Sequence, residues 1–119
     1  MVGVMVKSDI ENEQPAAWYA YILRCSDGSY YTGVTTDLLV RVDRHNTGQG
    51  AKYTRARRPV CLVYFEPHEG ERSARRRERE LKGWRREKKE ELVRRFPSER
   101  LSDVLRISGQ EASDESYRH

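Results

Sequence analysis

Trp18-Tyr19-Ala20-Tyr21-Ile22-Leu23-Arg24-Cys25-Ser26-Asp27-Gly28-Ser29-Tyr30-Tyr31-Thr32-Gly33-Val34 is the stretch that decides the fold. Trp18 to Arg24 is rich in aromatic and aliphatic residues, the composition of a strand. Ser26-Asp27-Gly28-Ser29 supplies a turn, because Asp-Gly tolerates positive φ. Tyr30 to Val34 reads as the returning strand. Together they predict a β-hairpin with Tyr21 and Tyr31 on adjacent strands.

Downstream, Thr36 is a suitable N-cap and Asp37 favours a first helical turn. The helix is expected to run to about Asn46, with Gly48 as its stop. At about 100° per residue, Leu38, Arg41, Val42 and His45 share one sector. Arg41 and His45 therefore sit beside the apolar stripe, a position that suits the border of a cleft. Residues 48–59 read as a loop holding Tyr53 and four cations, Lys52, Arg55, Arg57 and Arg58. Val60 to Phe65, between Pro59 and Pro67, reads as a third strand buried on both faces. Ser73 is expected to cap a second helix that ends near Gly83. A third begins near Trp84 or Arg85 and runs to about Phe96, with Pro97 ending it. The resulting order is β-β-α-β-α-α. Residues 1–16 read as a flexible lead, 17–96 as the domain and 97–119 as an extension, largely frayed from about Asp103. Neither end is long or apolar enough to fold separately.

The chain has 119 residues, 36% hydrophobic and 35% charged, so it suits one domain with a small core. Its net charge of +4 is unevenly spread: residues 1–16 and 101–119 each carry −2, leaving +8 for the middle. A basic body between acidic ends points to a polyanionic partner, most simply nucleic acid. Cys25 and Cys61 make no disulfide framework or paired metal-ligand spacing and read as buried free thiols. No signal-peptide core and no membrane-length apolar run is present, so the chain reads as soluble and cytoplasmic. No large apolar surface is evident, which favours a monomer.

Two phenols, a guanidinium and an imidazole able to converge on one surface suit attack on a phosphodiester. A phenol of ordinary pKa, about 10, is a poor base. Arg41 or a nearby cation would favour its ionised form, and His45 could take its proton. Taken singly, each has an ordinary alternative: a cross-strand tyrosine pair stabilises a hairpin, and a lone histidine packs or sits on the surface. Glu78 shares a helical sector with Ala74, Leu81 and Arg85, so it faces inward and needs a partner. Arg85 could be that partner. Otherwise Glu78 suits a hard divalent cation, since Mg²⁺ often uses one or two carboxylates and keeps several waters.

These residues resemble the GIY-YIG nuclease superfamily, in its small stand-alone bacterial form. The name-giving elements correspond to Tyr19-Ala20-Tyr21 and Tyr31-Thr32-Gly33. The segment from Asp37 to His45 is similar to the family's arginine-bearing helix. Gly48 to Arg55 resembles the loop of the stand-alone subgroup, and Ala74 to Lys82 resembles the glutamate helix. The resemblance covers about residues 17–95. It implies an α+β fold, an α/β sandwich with a three-stranded antiparallel sheet and flanking helices. It also implies metal-dependent phosphodiester cleavage with Mg²⁺ or Mn²⁺ held by Glu78. Tyr21 and Tyr31 become the motif tyrosines, one acting on the attacking water and the other on phosphate. Arg41 would stabilise charge on the scissile phosphate, and His45 would assist proton transfer. Two departures are visible. Ala20 stands where a β-branched residue is usual and the first glycine is missing, and Gly83 to Arg95 lacks the asparagine that many members carry.

The expected function is a metal-dependent endonuclease acting on DNA, in preference to RNA, with structured or single-stranded DNA as candidate forms. Lys52, Arg55, Arg57, Arg58, Lys82 and Arg85 are the expected nucleic-acid contacts. The alternative is a catalytically weak nucleic-acid binding module of the same fold. Arg72, Arg75, Arg76, Arg77 and Arg79 would serve it, and salt would weaken it steeply. A third reading is a protein-interaction adaptor using the same basic helix. Substrate sequence and pathway, whether repair, recombination or turnover, are not encoded in these features.

Overall fold

The computed structural model describes residues 17–107. Residues 1–16 and 108–119 lie outside the described residues, and with them the expected lead and the far end of the expected frayed tail. The chain forms β1 (Trp18–Arg24), β2 (Tyr30–Thr35), α1 (Leu38–Asn46), α2 (Lys52–Arg55), β3 (Cys61–His68), α3 (Glu71–Lys82), α4 (Arg86–Arg95) and α5 (Ser98–Ile107). The strands make one antiparallel sheet in the order β2-β1-β3. The fold is therefore α+β, with the expected order of strands and main helices.

The hairpin turn closes as its sequence dictates. Gly28 adopts φ +86°, a conformation that disfavours other residues. Asp27 Oδ1 accepts hydrogen bonds from the Ser29 backbone N–H and hydroxyl at 3.0 and 2.6 Å. Because strand side chains alternate, β1 feeds two cores. Tyr21 and Leu23 join Leu38, Val60 and Phe65 on one face, with Val42 of α1 and Leu101 and Val104 of α5 packed against them. Ile22 joins Tyr64 and Leu81 on the other, covered by Trp84 and by Leu92 and Val93 of α4. Helices thus cover both faces of β1.

Several boundaries differ from the sequence expectation. Asp37, not Thr36, caps α1, accepting the Val40 N–H at 3.1 Å. The Thr35 hydroxyl oxygen accepts the Asp37 N–H, which anchors the capping residue. Gly70, not Ser73, precedes α3. Ser73 lies inside its first turn and hydrogen bonds His68 Nδ1. β3 is buried on both faces at its centre, where Tyr64 and Phe65 enter opposite cores, but it runs at a sheet edge and its ends, Cys61 and Pro67, are exposed. Cys61 is accordingly an exposed thiol, while Cys25 is buried as expected. Residues 52–55 form a short helix inside the expected loop. Helix α5 continues through Asp103 to Ile107, because Leu101 and Val104, three apart, reach the core.

A polar network braces β3 against α3. Glu66 accepts a hydrogen bond from the Tyr64 hydroxyl, contacts His68 Nε2 at 2.8 Å and receives Arg77 Nε at 3.0 and 3.2 Å. These partners hold its carboxyl below the usual range despite burial, which acts the other way.

Candidate active site

Tyr21 pairs with Gly33 across β1 and β2, while Tyr31 pairs with Leu23. The two tyrosines are therefore diagonal neighbours on one face, with ring centroids 6.5 Å apart. Gly33 has no side chain, and the Tyr21 ring lies where a Cβ would point.

Helix α1 adds the two polar groups from its inner side. Arg41 and His45, one turn apart, face the tyrosines. Arg41 Nε donates to the Tyr21 hydroxyl oxygen at 3.3 Å. His45 Nε2 lies 3.0 Å from the same oxygen. The His45 ring also meets Tyr31 edge-on, with centroids 5.1 Å apart. Four expected site residues are thus in mutual contact.

Their burial differs from the sequence expectation of a cleft border. His45 is 0% exposed and Tyr21 1%, so the imidazole is a core residue and the first phenol is nearly covered. Tyr31 and Arg41 are half-buried and give the cluster its surface. The burial of His45 depends on the segment after α1. Its Nδ1 lies 2.7 Å from Thr54 Oγ1, and Thr54 is itself 0% exposed. Gly50 lets the backbone close over the ring, since a Cβ there would collide with His45 Cα, Cγ and Nδ1.

Electrostatics follow from this packing. Burial pushes the Tyr21 hydroxyl up to about 12, against the opposing hydrogen bond from Arg41. Tyr31 and the Glu78 charge push the same way as burial. Burial, with Arg41 adding to it, lowers His45 to about 4. Hydrogen bonding to Tyr21 holds the Arg41 guanidinium above its ordinary value, although burial opposes this. At neutral pH the cluster therefore holds a neutral phenol, a neutral imidazole and a full guanidinium charge.

Glu78 reaches the cluster through its charge, as its effect on Tyr21 records. Its ion pair is with Lys82, 3.2 Å away and one turn on. That corrects the expected Arg85 partner: Arg85 is exposed, just beyond the end of α3, while Lys82 is on the helix at i+4. The Glu78 side chain is 17% exposed, between core and surface. Among the described residues no three His, Cys, Asp or Glu side chains gather as a metal cluster. One half-buried carboxylate nonetheless fits a hydrated hard cation, which needs few protein ligands.

The expected nucleic-acid contacts separate into two groups. Lys52, Tyr53, Arg55 and Arg57 line a shallow surface depression along α2. Within it, Tyr53 is 39% exposed and stacks on Tyr31, while the Arg57 guanidinium lies 3.9 Å from the Tyr53 ring centre. Arg57 also pairs with Asp27 at 3.1 Å, and Arg58 Nε donates to the Arg55 carbonyl at 3.0 Å. These two arginines hold the loop together as well as adding charge. Lys82 and Arg85 belong to the end of α3 and the turn after it.

Gly33, Gly50 and Thr54 carry structural weight in this site that their positions in the motifs do not reveal. The available signal was an inward imidazole: a buried histidine needs a partner for each ring nitrogen, and the hydroxyl of Thr54 follows in the next segment.

A profile of the GIY-YIG catalytic domain matches residues 17–91. A UPF0213 protein of Staphylococcus aureus is 53% identical over 76 residues, spanning 64% of this chain and 93% of that one. The solution NMR structure of UPF0213 protein BH0048 from Bacillus halodurans is 50% identical, covers 64% of this chain and 81% of that one, and has a TM-score of 0.42. That of protein EF2693 from E. faecalis is 40% identical, with the same shares covered and a TM-score of 0.45. The chain belongs to the GIY-YIG family of nuclease domains.

Proposed function

We propose that this protein is a metal-dependent endonuclease that hydrolyses phosphodiester bonds in DNA, at a site built from Tyr21, Tyr31, Arg41, His45 and Glu78. The observation that carries the reading is the hydrogen-bonded junction at the Tyr21 hydroxyl, where a guanidinium and a neutral imidazole meet one phenol oxygen.

Tyr21 is the phenol joined to the imidazole and is assigned to the attacking water. A free Tyr21 phenolate is out of reach. With Tyr21 near 12 and His45 near 4, full transfer between them at rest would cost roughly 11 kcal/mol. A relay avoids that species. The Tyr21 oxygen gains the water's proton as its own proton passes to His45 Nε2. Protonating His45 at pH 7 then costs roughly 4 kcal/mol, within reach of a catalysed step. Tyr31, half-buried at the rim, is assigned to a phosphate oxygen, and Arg41 to the charge that grows there. A Mg²⁺ or Mn²⁺ ion held by Glu78 would polarise the phosphoryl group and stabilise the leaving oxygen. Lys52, Arg55 and Lys82 supply sequence-independent attraction for the backbone.

A second reading is a binding module of the same fold that cleaves weakly. The Glu78–Lys82 ion pair supports it, because the one carboxylate offered to a cation already has a partner. One experiment separates the two. Labelled single-stranded, duplex and branched DNA, and matched RNA, are incubated with protein in Mg²⁺ or EDTA, beside Glu78→Gln. Metal-dependent cleavage that disappears in the variant supports the nuclease. Binding without cleavage in both supports the module.

A further inference from the structure

Four hydrogen bonds run in series through this site. Arg41 Nε is 3.3 Å from the Tyr21 hydroxyl, which is 3.0 Å from His45 Nε2. His45 Nδ1 is 2.7 Å from Thr54 Oγ1, which is 3.0 Å from the Ala51 carbonyl oxygen. One end can only donate and the other can only accept. Between them a phenol, a neutral imidazole and a hydroxyl each bring one proton. With the guanidinium N–H included, four protons serve four links.

We infer that Thr54 is a positioning residue: anchored on the Ala51 carbonyl, it fixes His45 as the tautomer protonated at Nδ1 and bare at Nε2. The bare nitrogen then faces the Tyr21 proton. The opposite tautomer would aim two donors, Arg41 Nε–H and His45 Nε2–H, at one phenol oxygen. It would leave the Tyr21 proton without an acceptor at a residue 1% exposed. Gly50 adds a steric lock, because the loop backbone against the imidazole opposes a ring flip that would exchange the nitrogens. Thr54 touches neither substrate nor the reacting atoms. It acts through His45 alone.

The kinetic half of the test rests on the proposed nuclease activity, and the spectroscopic half does not. Imidazole ¹⁵N NMR on the full chain is expected to show His45 with a protonated Nδ1 and an unprotonated, pyridine-type Nε2. Thr54→Val keeps the side chain's shape but removes the acceptor, and is expected to mix or reverse that pattern. Thr54→Ser is expected to restore it. In cleavage assays Thr54→Val should lower kcat by about 10²-fold, the scale of a misdirected acid–base group, with KM for DNA unchanged and Thr54→Ser recovering activity. A protonated Nε2 in the unaltered protein overturns the inference, as does an unchanged tautomer in Thr54→Val. If Thr54→Val does not fold, Thr54→Ala removes the same hydroxyl with less bulk, and an unchanged tautomer in that variant overturns the inference. The expected tautomer together with no cleavage of any substrate would overturn the nuclease reading and leave the positioning role standing.

Discussion

Tyr21 and Gly33 face each other across β1 and β2, and the tyrosine ring fills the space that a Gly33 side chain would need. A Cβ at Gly33 would lie 2.7 Å from the Tyr21 hydroxyl oxygen and 2.9 Å from Cζ. The glycine of the second tyrosine segment is thus part of the site, since it lets the phenol lie flat enough to meet Arg41 and His45.

Gly33→Ala is expected to destabilise the protein by about 1–3 kcal/mol through overpacking and to abolish cleavage by moving the phenol. Adding Tyr21→Phe removes the closest clashing atom, so the double variant should recover part of the stability and none of the activity. Urea unfolding and cleavage assays of the parent and the two variants check this. A Gly33→Ala protein as stable and active as the parent would refute it.

His45 should leave a mark on stability below neutral pH. Burial and Arg41 hold it near 4 against an ordinary 6.5. Above pH 6.5 it is neutral in both folded and unfolded chains. Between pH 6.5 and 4 the unfolded chain takes up the proton first, so stability falls by about 3 kcal/mol across that window. Tyr21 acts at the other extreme: with its pKa raised from 10 to about 12, the unfolded chain ionises first, and stability falls between those values. Denaturation measured from pH 7 to 4 should show a steeper loss for the parent than for His45→Gln. Parallel curves would contradict the burial of a neutral imidazole.

Arg41→Gln removes the positive neighbour that helps to keep His45 neutral. The His45 pKa should therefore rise, as read by an NMR titration of its ring. Cleavage should fall by about 10²-fold or more, the scale of a lost transition-state donor. A His45 pKa that stays put or falls would refute the lowering effect of Arg41 on the imidazole.

Glu78→Gln should change stability by less than about 0.5 kcal/mol, because an i,i+4 ion pair with a largely exposed lysine is weak. Metal-dependent cleavage should disappear. DNA affinity, measured by fluorescence anisotropy in EDTA, should hold or tighten, since Lys82 loses its competing carboxylate. Retained Mg²⁺-dependent cleavage would remove Glu78 from the cation site.

Replacing Lys52 or Arg55 by Ala should lower DNA affinity uniformly across sequences and reduce the salt slope by about 1 for each. Arg57→Ala should behave differently and also lower stability, because this side chain ties Asp27, the Tyr53 carbonyl and the Tyr53 ring. Identical effects for all three would mean that Arg57 is only a surface charge.

The hairpin, the order of strands and main helices, and the five candidate site residues are legible along the chain. These rest on local signals: Asp27-Gly28 at a turn, alternation along β1, and helical spacing between Arg41 and His45. Everything else depended on contacts between distant segments. Thr36 and Asp37 are both able to cap a helix, and in the fold Asp37 accepts the Val40 N–H while Thr35 holds its backbone N–H. The four residues of α2 are too few for periodicity, and α5 needed only Leu101 and Val104 to reach the core. The depth of His45 was undecidable from α1 alone. It required Tyr21, 24 positions away, and Thr54, 9 positions away, to satisfy its two nitrogens. A buried polar side chain is tolerated only when its partners arrive, and folding, not spacing along the chain, brings them.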